Sequence, residues 1–96
     1  MAEEDGAADW QRADLWLWYA RVAKTRAECA RQIAMGRVRI NSHRTDKAHA
    51  RLRPGDVLTL TIGKRLRVWR VVALPVRRGP ATEARALFED LSEPTA

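Results

Sequence analysis

The sequence predicts an α+β domain: two N-terminal helices packed on a small, mostly antiparallel sheet, followed by a C-terminal helix. Three observations predict it. Apolar residues in "RADLWLWYARVA", 12–23, recur at helical spacing, whereas in "VRI" and "VLTLTI" they alternate with polar ones. Two turn signatures, "RPGD" at 53–56 and Gly63-Lys64, divide the second half into strand-length pieces. Helical spacing then returns in "ATEARALFEDL", 81–91.

The elements follow in order. Residues 1–10 are small, acidic and aperiodic, the composition of a disordered tail. Helix one, 12–23, carries Ala13, Trp16, Leu17 and Ala20 on one face and Leu15, Trp18, Tyr19 and Val22 on another, so it requires cover on two sides. Thr25-Arg26-Ala27-Glu28 fits a capping box at the start of helix two. Cys29, Ala30 and Ile33 form its inward side, and Gly36 supplies a left-handed C-terminal cap. "RVRIN", 37–41, alternates as a strand, with Val38 and Ile40 opposed to Arg37, Arg39 and Asn41. Asn41-Ser42 marks a turn, and 43–53 are polar and irregular. Strands are predicted at 57–62 and 65–74, joined at Gly63-Lys64, before "PVRRGP" breaks the pattern. Helix three, 81–91, aligns Ala84, Leu87, Phe88 and Leu91. Its predicted partner is the spare face of helix one, Trp18 and Tyr19 meeting Leu87 and Phe88. The alternative leaves Trp18 or Tyr19 exposed as a platform for stacked bases. The division is therefore an acidic tail over 1–10, one domain over 11–76, and a C-terminal helix and tail over 77–96 packed on that same domain.

Composition bounds the function. Ninety-six residues with 46% apolar and 31% charged content fit one soluble domain. The longest apolar run, "LWLWYA", is too short for a bilayer, and no membrane partner is expected. An acidic N-terminus argues against a signal or transit peptide, which makes the cytoplasm the default location. A lone Cys29 forms no internal disulfide and fits a reducing compartment. The net charge of +6 conceals an asymmetry: residues 10–82 carry +13 with four acids, while both ends are acidic. That pattern is the footprint of a polyanion binder. Arginine outnumbers lysine 15 to 3, which favours bidentate phosphate contacts.

The cations are placed where phosphate binding needs them. Lys24 and Arg26 flank the start of helix two, where unpaired backbone N–H groups and the positive dipole end favour an anion. Arg37 and Arg39 share one face of the following strand. Arg12 and Arg21 join from helix one, building one basic face. Asp14 is read as a partner for Arg12 or Arg21. Catalysis and metal binding are not expected: Cys29 faces inward, and His43 and His49 lie in a loop with no set of four ligands. No cofactor and no small-molecule substrate are expected.

The stretch "RADLWLWYARVAKTRAECARQIAMGRVRIN", with Lys47 and "RPGD" after it, resembles the RNA-binding domain named after ribosomal small-subunit protein four (the S-four domain, or αL motif). It is most similar to the bacterial fifteen-kilodalton heat-shock subfamily, through Arg12-x-Asp14, "WLWYAR", "KTR", Gly36-x-Val38, Asn41 and the tail "RRGPATEARALFED". The resemblance covers roughly residues 11–91 and assigns 11–76 to the S-four-type domain. It implies a helix–helix–strand RNA-binding surface on a small sheet. By position Arg12, Lys24, Thr25, Arg26, Arg37, Asn41 and Lys47 match the pattern; Arg21, Arg31 and Arg39 join them on charge and exposure. It also implies a role on the ribosome: relatives are associated with free large subunits carrying a stranded nascent chain on transfer RNA.

The chain departs from the pattern at Ala13, Leu15 and Ser42, at an inserted Asp46, and at "KAH" after it. Its want of the long basic tail of some relatives implies that the RNA contacts of that tail are missing too. The implied function is non-catalytic recognition of structured ribosomal RNA, transfer RNA or both on the large ribosomal subunit, in heat shock or stalled nascent-chain rescue. Two alternatives compete: a DNA-binding or nucleoid-associated basic protein, and a targeting module for an RNA-modifying enzyme on another chain.

Overall fold

The computed structural model describes residues 9–92; residues 1–8, most of the tail expected to be disordered, and residues 93–96 lie outside the described residues. The chain runs β1 (Gln11–Arg12), α1 (Ala13–Tyr19), α2 (Arg26–Ala34), β2 (Val38–Ile40), β3 (His43–Arg44), β4 (Arg51–Leu52), β5 (Val57–Ile62) and β6 (Arg65–Val71). It ends with α3 (Ala81–Ala84), a 3-10 turn (Arg85–Leu87) and β7 (Phe88–Asp90). The main sheet has the order β3-β2-β5-β6-β7, antiparallel throughout, and β1 pairs with β4 in a separate short ladder. The fold is α+β, with the α1–α2 pair on one face of the sheet.

Alternation decides which side of each strand is buried. Val38, Leu58, Leu60, Trp69 and Val71 turn inward and meet Trp16, Leu17, Cys29 and Ile33 from the helices. Trp16 is fully buried, and its indole N–H donates to the Ala73 carbonyl at 2.9 Å. Leu52 closes the core from the β1–β4 ladder. The two turn signatures hold. Gly63 has φ +62° where Ile62 faces Arg65, and Gly55 has φ +96° where β4 passes to β5.

Both helices end in the same way. At α2, Gly36 takes φ +76°, its N–H bonds the Ile33 carbonyl, and Arg37 N–H bonds the Gln32 carbonyl. These are the paired bonds of a Schellman motif. At α1, Arg21 takes φ +64°, its N–H bonds Trp18 O at 3.1 Å, and Val22 N–H bonds Leu17 O at 3.0 Å. Helix one thus ends at Tyr19 rather than Ala23. No glycine announces that stop.

Helix three is corrected most. Only Ala81–Ala84 are α-helical, and Phe88–Asp90 form the edge strand β7. The free edge of β6 overrides the helical spacing. Leu87 O accepts from Val72 N at 2.8 Å and Ala73 N at 3.2 Å, Val71 pairs with Phe88, and Leu91 N donates to Val68 O at 2.7 Å. Local propensity is a weak prior against such a ladder. Phe88 therefore stacks on Trp69, with ring centroids 3.7 Å apart, and meets Trp16 edge-on at 6.4 Å. The Phe88 ring thus meets Trp16 rather than the expected Trp18 and Tyr19, and Trp18 is not an open platform either. It is half-buried, with Tyr19 against it at 5.5 Å and the Arg78 guanidinium over its ring at 5.2 Å. The strand expected over 65–74 stops at Val71. The irregular stretch 43–53 contains the two short strands β3 and β4.

Candidate nucleic-acid interface

At the start of α1 the backbone needs partners for its first N–H groups. Ala13 N donates to Ala50 O at 2.8 Å and Asp14 N to Ala48 O at 3.0 Å. Leu15 N donates to the Asp14 carboxylate at 2.8 Å. These bonds tie residues 47–50 to the helix start and set Lys47 beside it. Asp14 is 4% exposed, the one buried charged residue among those described. Its two oxygens accept Nε and Nη2 of Arg12, both at 3.1 Å, and Oδ2 also accepts Nε of Arg26 at 3.4 Å. The carboxylate expected to partner Arg12 or Arg21 thus holds Arg12 and Arg26.

Arg26 opens α2, whose cap is Thr25: its hydroxyl accepts Glu28 N at 3.0 Å. The rest of the expected capping box is absent, since the Glu28 carboxylate turns outward to Arg31 (3.1 Å) and Gln32 (2.6 Å). Those two bonds hold its carboxyl below the usual range. Lys24 and Thr25 are exposed beside Arg26. Arg12, Lys24, Thr25, Arg26 and Lys47 therefore gather around one place, where α1 and α2 both begin. Arg51 joins them, because β1 pairs with β4 and sets Arg12 opposite Arg51, whose guanidinium lies 4.3 Å from the Trp10 ring centre.

A second group sits at the other end of α2, about 13 Å away for a nine-residue helix. Asn41 and Ser42, with φ of +51° and +71°, close the β2–β3 hairpin. That turn sets Arg39 directly opposite Arg44. Arg39 and Arg37 line a shallow depression of about 490 Å³ with Thr59, Thr61 and the exposed Leu66. Arg44 folds back over Gly36, where an added Cβ would come within 2.8 Å of its Nε. Like charges facing across a ladder oppose pairing, yet both short ladders place arginine opposite arginine.

The remaining expected residues are placed otherwise. Arg31 lies on the exposed side of α2, held by Glu28. Asn41 is engaged in the fold: its amide donates to Asp56 Oδ1 at 3.0 Å and accepts Val57 N at 2.9 Å. Arg21 is not brought to either group. Its Nε donates to Gly79 O at 2.9 Å, at the far end of α1. Arg44 and Arg51 escape sequence reasoning because their strands look like irregular loop; alternation around "HR" and "RL" is too short to register. Cys29 is buried, and burial pushes its thiol upward, as suits a core residue.

Comparison with known proteins gives the family and the fold. Residues 11–58 match the family model described as the S4 domain, a span that contains both basic groups. Heat shock protein 15 of Escherichia coli is 39% identical over 82 residues, covering 85% of this chain and 61% of that protein. The heat shock protein 15 homolog of Haemophilus influenzae is 34% identical over 79 residues, covering 82% and 60%. The chain thus spans about 61% of the length of the curated relatives it matches first. Among solved structures, the trimeric heat shock protein 15 of Vibrio cholerae superposes with a TM-score of 0.82 at 28% identity, covering 88% of this chain and 84% of that one.

Proposed function

The chain belongs to the S4-domain family, and from that premise we propose that it is a non-catalytic RNA-binding protein of the heat-shock response. Its ligand is structured RNA of the large ribosomal subunit, with transfer RNA within reach of the same surface, and its setting is the cytoplasm. Rescue of stalled nascent chains is the process this binding would serve. The names of its relatives support the stress-response part.

One observation carries the RNA reading: Arg12 and Arg26 are fixed about a single buried carboxylate, each side chain nearly half exposed, at the joint start of two helices. A phosphate seated there meets guanidinium forks and the N-terminal dipole of α2 together. Lys24, Thr25 and Lys47 extend that seat, and Arg37, Arg39 and Arg44 supply a second hold one helix length away. Because two holds are separated by α2, a ligand with several phosphates in a fixed arrangement is favoured over a short flexible one. Shape and backbone are what proteins read in folded RNA.

The test is sedimentation of the protein through a ribosome gradient, paired with affinity for structured RNA against duplex DNA of equal length. Co-migration with large subunits and preference for RNA are expected. Log affinity should fall with log salt at a slope of about −3 to −5 for four to six phosphate contacts. Equal affinity for DNA, or a slope near zero, overturns the reading.

A further inference from the structure

Asp14 has the wrong sign for its place. It sits among the cations assigned above to RNA, where a bare carboxylate would repel the ligand. It is also desolvated, its side chain 6% exposed, and a buried carboxylate costs stability unless its acceptor sites are filled. The structure fills them. Oδ1 accepts Leu15 N and Arg12 Nε, and Oδ2 accepts Arg12 Nη2 and Arg26 Nε. A carboxylate has about four acceptor positions, so Asp14 has none left for solvent.

The arginines are in the opposite condition. Each guanidinium carries five N–H donors. Arg12 gives two to Asp14 and Arg26 gives one, so three and four remain outward on side chains 46% and 43% exposed. Two long side chains from different elements are thereby locked in one arrangement before any ligand arrives. Ordered side chains lose less freedom on binding than free ones.

We propose that Asp14 is a positioning residue for RNA: by holding Arg12 and Arg26 on one carboxylate, it fixes the spacing of two guanidiniums that meet the phosphate backbone. The proposal rests on the RNA reading above. It reverses the electrostatic expectation, because removing this acid should weaken binding to a polyanion.

The experiment measures affinity and salt slope for a structured RNA with Asp14→Asn and Asp14→Glu. Asp14→Glu keeps the charge and moves the carboxylate one methylene outward. Both variants should bind about three- to tenfold more weakly, the range expected when one or two side chains lose their ordering. For Asp14→Asn the salt slope should flatten by about 0.7–0.9 for each phosphate no longer neutralised. Simple electrostatics gives the contrary: tighter binding and a steeper slope for Asp14→Asn, and no change for Asp14→Glu. That result overturns the proposal.

A background of Arg12→Gln with Arg26→Gln separates positioning from general structure. There Asp14→Asn should no longer weaken binding; an equal loss in both backgrounds assigns Asp14 to the fold alone and overturns the proposal. Thermal melts identify which variants are folded at the assay temperature. If Asp14→Asn is not, Asp14→Glu decides by the same criterion. Failure of the unaltered protein to bind RNA overturns the function and this proposal together, whereas binding by it with tighter binding by Asp14→Asn overturns the proposal alone.

Discussion

The two ends of α1 each gather two arginines and use them for opposite purposes. At the start, Arg12 and Arg26 meet one carboxylate and keep most of their donors outward. At the finish, Arg78 Nε donates to Trp18 O at 2.9 Å and its Nη2 to Ala23 O at 3.3 Å, while Arg21 Nε donates to Gly79 O at 2.9 Å. Carbonyls near a helix C-terminus lack the i+4 donor of the helix interior and keep acceptor capacity beside their capping bonds, and a cation there also complements the dipole. The difference teaches that the acceptor, not the arginine, assigns the role. Backbone carbonyls absorb arginines into the fold; a shared carboxylate displays them.

The sharpest way to break this contrast is to remove what holds the C-terminal segment against α1. Phe88→Ala deletes the stack on Trp69 and the edge contact to Trp16. Phe88 is half-buried, so thermal or denaturant unfolding should show a loss of about 2–3 kcal/mol, at or below the lower end for a core phenylalanine, with RNA affinity of the folded protein unchanged. An unfolding midpoint equal to the parent's would place Phe88 outside the core. Next comes Arg78→Gln, which leaves two carbonyls near the end of α1 without a charged donor. A loss of about 2 kcal/mol in stability is expected, again with the salt slope of RNA binding unmoved; a flattened slope would make Arg78 a binding residue.

At the other end the readouts should exchange. Arg26→Gln should weaken RNA binding by about 1–2 kcal/mol and flatten the salt slope by about 0.7–0.9. Its melting curve should move by less than about 1 kcal/mol, because Arg12 still gives Asp14 two bonds and the Arg26 side chain is nearly half exposed. A large stability loss without a binding loss would erase the contrast. The smallest effect belongs to Arg21→Gly. Glycine relieves the left-handed backbone but gives up the bond to Gly79 O, two effects of similar size and opposite sign. Unfolding should shift by less than about 0.5 kcal/mol, and RNA affinity should hold; a tenfold loss of affinity would return Arg21 to the basic face.

What the sequence showed and hid follows from the same physics. The end of α2 was legible because glycine occupies the left-handed position, whereas α1 stops through identical bonds with an arginine there, and a side chain at Arg21 sends no stop signal. Strands β5 and β6 were legible from alternation and turn residues. β7 was not, because Ala84, Leu87, Phe88 and Leu91 keep a helical period and only the vacant edge of β6 decides their conformation. At the candidate interface, the capped start of α2 could be read from "KTRAE", and Asp14 could be read as an arginine's partner. Which arginine it holds depends on how α1 and α2 cross, a tertiary fact. Arg44 and Arg51 were hidden for a related reason: two-residue strands have no period of their own, and pairing with β2 and β1 alone gives them a face.

The main sheet ends at β3 on one side and β7 on the other. These borders are two and three residues long, and carry His43 and Arg44 on one and Glu89 and Asp90 on the other. Unpaired strand borders are where warmed proteins join one another and come out of solution, and short charged ones recruit poorly. In a folded copy the long strands β5 and β6 are covered on both sides, and the borders left over are too short to give a neighbouring copy more than a few backbone bonds.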